Sequence, residues 1–214
     1  MKHPGAAFDA YCRAVLAEPS SVTALRDAAA IRRELVDASL VAAPLLGESL
    51  PSLVIDVGSG NGSPGLPLAL WYGAPVTLLE SVERKAAFLR RLVAELAPAC
   101  GVIHDRSEHL AAAAGRDAYD LVLARALAPP SVAAELCLPL ARPGGRVVLW
   151  TGQPPLPEVA QVAGLLGGEL GRVEGVGGDR HLVELRKLAA TPERFPRRPG
   201  VARKRPLASL PSTS

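Results

Sequence analysis

Apolar positions along the chain fall into two textures. Through about residue 50 they recur at helical spacing, with Phe8, Tyr11, Cys12, Val15 and Leu16 followed by Ile31, Leu35, Leu40 and Leu45. From Ser52 onward the texture changes to short apolar runs, at 53–57, 76–79, 102–103, 121–123, 147–150 and 183–185. These predict strands. Helical stretches at 64–71, 82–96, 108–114, 131–140 and 158–166 lie between them. Regular alternation of this kind predicts an α/β fold with a parallel sheet and helices on both faces. Three segments follow: an N-terminal helical extension (1–50), an α/β domain (51–188) and a basic, Pro-rich C-terminal tail (189–214).

Composition narrows the class. With 214 residues, 49% hydrophobic and 21% charged, the chain is neither disordered nor fibrous. Three widely spaced cysteines (Cys12, Cys100 and Cys137) give no C-x-x-C pair and no even framework, which points to a reducing, cytoplasmic setting. Asp9, Arg13 and Glu18 interrupt the apolar run that an export signal needs. The uncharged stretch 57–79 holds five Gly and three Pro, so it reads as strand, loop and helix and not as a membrane span.

Charge is distributed unevenly. Segment 186–205 carries eight Lys or Arg against the single acid Glu193, whereas the whole chain nets only +3. Its prolines predict an extended cationic arm, suited to a polyanion whose condensed counterions it releases. Arg197, Arg198, Arg203, Lys204 and Arg205 are therefore candidate contacts to RNA or DNA, with Arg84 and Lys85 on the helix after the second strand as further candidates for phosphate contact.

The most informative segment is 53–65, where a strand ends in Asp56 and the chain runs through Gly58, Gly60, Gly62 and Gly65 into a helix. Glycines here let the backbone turn sharply and approach a ligand at a helix N-terminus. Residues 60–65 also fit G-x-G-x-x-G, so a dinucleotide competes with other nucleoside cofactors. Asp56 favours S-adenosylmethionine (SAM), because a carboxylate attracts its ammonium and sulfonium and repels a pyrophosphate. Glu80, at the end of the next strand, suits the two ribose hydroxyls of either class.

Four blocks extend the pattern. DVGSGNGSPGLPLAL (56–70), LLESVERKAAFLRRL (78–92), HDRSEHL (104–110) with LARALA (123–128), and the basic tail after RHLVELRK resemble the bacterial small-subunit rRNA guanine-N7 methyltransferases, the RsmG or GidB family. The resemblance implies a Rossmann-like class I SAM-dependent methyltransferase fold, with a seven-stranded, mostly parallel sheet. It implies SAM as cofactor, 16S rRNA or the 30S subunit as partner, and methylation of N7 of a guanine in the 530 loop. Carried over by position, Gly58, Ser63, Ser107, Glu108 and Arg125 join Asp56, Gly60 and Glu80 as cofactor contacts. Departures from the family are Glu34 in place of a His, Thr151 in place of a Lys, and Ser63 in the loop. A SAM enzyme acting on another RNA or a small molecule, and a non-catalytic RNA-binding relative, are the alternatives. N7 carries a lone pair and no proton, so no general base is expected and no catalytic residue is assigned. His3, His104, His109 and His181 lack metal-ligand spacing, and a monomer without metal or membrane attachment is expected.

Overall fold

The computed structural model describes residues 4–19 and 22–209, so His3 and the last five residues of the tail lie outside the described residues. The chain forms two compact units, residues 1–105 and 106–214, and the segment limits at 50 and 188 fall inside them.

In the first unit, helices α1 (Gly5–Ala17), α2 (Ala28–Ile31), α3 (Ala38–Leu40) and α4 (Ala43–Leu46) precede the first strand, with a π-helical turn over Arg32–Asp37 between α2 and α3. Phe8, Tyr11, Cys12 and Val15 line the buried face of α1, as the spacing predicts. Strands β1 (Val54–Val57), β2 (Thr77–Glu80) and β3 (Gly101–His104) are parallel and ordered β3-β2-β1. They alternate with α5 (Gly65–Tyr72) and α6 (Glu83–Leu96). In α6, Ala86, Phe88, Leu89, Leu92 and Val93 are buried, while Arg84, Arg90 and Arg91 are exposed. Each large buried side chain there contributes about 1.5–3 kcal/mol, so α6 is held by its apolar stripe and not by helix propensity.

The second unit contains α7 (Ser107–Ala111), β4 (Tyr119–Arg125), α8 (Pro130–Cys137), β5 (Ala141–Thr151), α9 (Leu156–Leu165), β6 (Gly168–Gly175), β7 (His181–Lys187) and α10 (Val201–Lys204). Its strands are ordered β4-β5-β7-β6. β4 and β5 are parallel, but β7 runs antiparallel to both β5 and β6. The described residues thus hold seven strands, mostly parallel. The apolar runs predict six of them. β6 (GELGRVEG) has three glycines, three charged residues and only two apolar side chains, so no run marks it.

The tail corrects an expectation. It is not an extended arm: it forms α10 and a 3-10 turn at Leu207–Ser209, and buries Phe195, Ala202 and Leu207. Ala202 packs with Val132 and Leu136 of α8. Prolines exclude long elements but permit one helical turn once Gly200, at φ 80, has reversed the chain. The Arg116 guanidinium secures the entry by donating to the carbonyls of Thr191 (2.7 Å), Pro192 (3.3 Å) and Phe195 (2.6 Å).

Beside that entry the Lys187 ammonium is fully buried. It donates to the Leu138 carbonyl (3.0 Å) and the Thr191 hydroxyl (2.5 Å), and pairs with Asp117 at 3.0 Å. Burial pushes Lys187 down from its ordinary pKa, against the pull of Asp117. Burial acts upward on Asp117, but bonds from the Thr191 hydroxyl and N–H and from Lys187 outweigh it and hold the carboxyl below its ordinary value. The Asp117 contribution to stability is therefore complete above the unfolded value of about 3.9 and fades as pH falls through the lower folded value. Asp117→Asn tolerates the φ of 47 at this position but strands the Lys187 charge. Urea denaturation at neutral pH is expected to show a loss of about 3–5 kcal/mol, with a weaker acid limb than in the unmodified chain.

Candidate functional site

The glycine loop leaves the carboxyl end of β1, where open α/β sheets present ligand sites. Asp56 is 0% exposed. Its Oδ2 accepts the N–H of Gly65, the first residue of α5, at 3.1 Å. Asp56, expected as a cofactor contact, is thus buried, with one oxygen committed to the turn into α5. Gly65 permits this closeness: a Cβ there would lie 2.7 Å from the Asp56 Cβ and 2.7 Å from the Leu78 Cδ2.

Glu80, 5% exposed, works on the other side of the loop. Its Oε2 accepts from the Gly60 N–H (3.0 Å) and its Oε1 from the Val82 N–H (2.8 Å). Each oxygen keeps a further lone pair for a hydroxyl partner. Gly60 lies at φ 53, and a Cβ there would meet only the Gly58 carbonyl oxygen, at an ordinary 3.7 Å, so its backbone is approachable. The Gly58 N–H is committed to the Leu79 carbonyl at 2.8 Å, which continues the β1–β2 pairing into the loop. An open backbone at Gly60 beside an acid at the next strand end fits a nucleoside cofactor such as SAM.

The N-terminal segment braces this loop. The Tyr11 hydroxyl donates to the Asn61 carbonyl (3.2 Å), and the Asn61 amide donates to the Val22 carbonyl (3.4 Å). Ser63, carried over as a cofactor contact, is buried and turned into that segment. Its hydroxyl donates to the Leu35 carbonyl (3.1 Å) and lies 2.9 Å from the Ser39 hydroxyl. Tyr11, Asn61 and Ser39 escape sequence reasoning because their partners lie 24 to 50 residues away.

His104 is the last residue of β3, paired with Glu80 at the end of β2. Its Nδ1 is 2.7 Å from Glu83 and its Nε2 is 3.2 Å from the Ser81 carbonyl. Arg84 is exposed and Lys85 half-buried at the start of α6, so both keep access to solvent.

In the second unit, Ser107 and Glu108 open α7 and are buried. The Glu108 Oε1 accepts the Gly200 N–H at 2.9 Å, which ties the tail to α7. Arg125, half-buried, ends β4. Arg197, expected as an RNA contact, is engaged within the fold. Its guanidinium forms a two-pronged pair with buried Glu135 of α8 (2.6 and 2.6 Å) and so has no free fork for a phosphate. Arg198, Arg203, Lys204 and Arg205 are exposed. No helix among the described residues is long and apolar enough to cross a membrane, and no His/Cys/Asp/Glu group among them could hold a metal ion.

Solved structures share this architecture. A methyltransferase from Pyrococcus furiosus matches with a TM-score of 0.54 and 17% identity, covering 72% of this chain and 83% of that one. The T. thermophilus 16S rRNA N2 G1207 methyltransferase, solved with AdoMet and guanosine, matches with a TM-score of 0.51 and 21% identity, over 73% of this chain and 40% of that one. The fold is therefore that of Rossmann-like class I SAM-dependent methyltransferases. The family model for rRNA small subunit methyltransferase G (GidB) matches residues 10–176, and a Chloroflexus aggregans protein named ribosomal RNA small subunit methyltransferase G is 41% identical over 87% of this chain and 82% of its own length. The chain belongs to the rRNA small subunit methyltransferase G family.

The packing at Gly65 gives a direct check on this geometry. Gly65→Ala pushes Asp56 and Leu78 apart, and an overpacked site of this kind loses about 1–3 kcal/mol. Denaturant titration is expected to show that loss, together with weaker SAM binding by calorimetry.

Proposed function

We propose that this chain is a SAM-dependent methyltransferase that modifies N7 of a guanine in the 530 loop of 16S rRNA. The observation that carries the reading is the Glu80 carboxylate, fixed at the end of β2 by the Gly60 and Val82 N–H groups beside an approachable loop backbone. Such an acid accepts the two ribose hydroxyls of a nucleoside cofactor through its spare lone pairs. Gly58, Gly60 and Glu80 would hold SAM from the first unit. Ser107, Glu108 and Arg125 are the family-matched positions of the second, and Asp56 and Ser63 hold the loop's shape.

SAM held there would supply an electrophilic methyl group on a cationic sulfonium, and the lone pair of guanine N7 would be the nucleophile that displaces the sulfur in line. No residue has to remove a proton to create the nucleophile. The chain's contribution is orientation, and fixed geometry alone can lower such a barrier by about 7–11 kcal/mol. A guanine in a loop is cheaper to unstack than one in a duplex, and loops are where proteins usually read RNA sequence. The exposed Arg198, Arg203, Lys204 and Arg205, with Arg84 and Lys85, supply the cations for its phosphates. An rRNA substrate places the work in the cytoplasm, and no disulfide joins the buried Cys12, Cys100 and Cys137.

Glu80→Ala removes both loop contacts along with the ribose acceptor, and SAM affinity is expected to fall at least tenfold by calorimetry, as for lost hydrogen bonds to a charged group. Mass spectrometry of rRNA from a strain lacking the gene should miss one N7-methylguanosine of 16S rRNA. The unmodified gene should restore it and the Glu80→Ala gene should not. Retention of every N7-methylguanosine in the deletion strain would refute the substrate.

A further inference from the structure

Among the cations of the tail, Arg197 is spent internally. Its Nε and Nη2 each lie 2.6 Å from a Glu135 oxygen, and the acid and base side chains are only 4% and 17% exposed. The same Nη2 also donates to the Arg205 carbonyl at 2.8 Å. One guanidinium thus joins α8 to both ends of the segment 197–205. That segment carries α10 and the exposed Arg198, Arg203, Lys204 and Arg205. The Arg203 guanidinium donates to the Leu127 carbonyl (2.7 Å) and the Gly200 N–H to Glu108 (2.9 Å), so the closed turn is fastened at two further points.

We infer that Glu135 and Arg197 are positioning residues for the RNA substrate: the pair clamps the turn 198–205 so that its four exposed cations meet the phosphates in a fixed array. This rests on the reading that the tail contacts RNA. A buried acid beside a phosphate-binding surface is electrostatically unfavourable for RNA, because its field cancels part of the attraction. Its place there is explained by order. A chain already folded avoids the conformational entropy that a loose basic arm loses on binding. The fork geometry of arginine is what lets one side chain hold two carboxylate oxygens and a carbonyl together; a lysine at 197 keeps the charge and loses the fork.

Charge and order predict opposite signs, which makes the inference testable. If the tail acts only as a reservoir of positive charge, Glu135→Gln adds net positive charge and strengthens RNA binding, and Arg197→Lys changes nothing. If the pair is a clamp, both variants weaken it. Affinity for deproteinised 16S rRNA would be measured by filter binding over a salt series, with turnover from labelled SAM alongside. The expected result is a weakening of roughly 3- to 10-fold in both variants, the range for one rotamer-rich side chain to be ordered on binding. The RNA KM should rise by the same factor at unchanged kcat, a split that general destabilisation would not produce. Arg197→Lys retains a buried ion pair, so it carries the test if Glu135→Gln does not fold. Tighter or unaltered binding in the variant or variants that fold overturns the clamp. The triple change of Arg198, Lys204 and Arg205 to Gln leaves the fastening bonds of Arg197 and Arg203 in place and tests the underlying reading separately. It should weaken binding and flatten the salt dependence, and if it does neither, the tail does not contact RNA.

Discussion

A carboxylate taken out of water must find donors, and in the first unit the acids near the ends of β1 and β2 find backbone N–H groups of the glycine loop, the start of α5 and the turn before α6. Asp56 takes that of Gly65, where the first turn of α5 leaves N–H groups without helical partners, and Glu80 takes those of Gly60 and Val82. The partial positive charge of a helix N-terminus favours such an anion. Two buried acids therefore dictate the path of the loop from opposite sides. The N-terminal segment completes the constraint from behind through Tyr11, Ser39 and the Leu35 carbonyl. The backbone that a cofactor would meet is shaped before the cofactor arrives, which is the condition for binding energy to be used on orientation.

The same currency of buried charge organises the second unit. Of the eight cations in segment 186–205, Lys187 is paired with Asp117 and Arg197 with Glu135, and Arg186 lies 3.8 Å from both Glu169 and Glu184. These acids come from outside the segment. What sequence counting presents as one basic arm is thus divided into cations that fold the tail and cations that face solvent. Arg116, outside the segment, adds a third fastening through three tail carbonyls.

Sequence texture reveals the elements whose stability comes from apolar burial, and misses those that depend on distant partners. The strands β1 to β5 and helices α5 to α9 stand where the runs and the helical spacing place them. β6 escapes because an edge strand with Gly168, Gly171 and Gly175 buries little and needs only its backbone ladder to β7. The reversed direction of β7 is equally silent, since a buried run such as Leu182–Val183 reads the same in either orientation. At the site, the identities of the two acids are legible from their places at strand ends. Their contacts are not: that Asp56 is fully buried and bonded to the Gly65 N–H emerges only from the fold. Arg197 looks like one cation among many until Glu135, 62 residues earlier, is brought beside it.

On the proposed reading, a cofactor loop and an RNA surface call for different solutions to the same problem. A small cationic cofactor offers few contacts, so its cradle must be rigid, and fully buried acids with backbone partners achieve this at the cost of desolvation. An RNA loop offers many phosphates, and any loose cationic chain would bind them, but without register. A target guanine has to enter at one angle, because phosphate contacts set position and orientation while carrying no sequence information. Folding the cations onto α8 and α10 sacrifices one of them, Arg197, to an internal pair and fixes the rest in space. The loss in raw attraction is small beside the gain in register, since salt weakens the former and leaves a buried two-pronged pair largely unscreened.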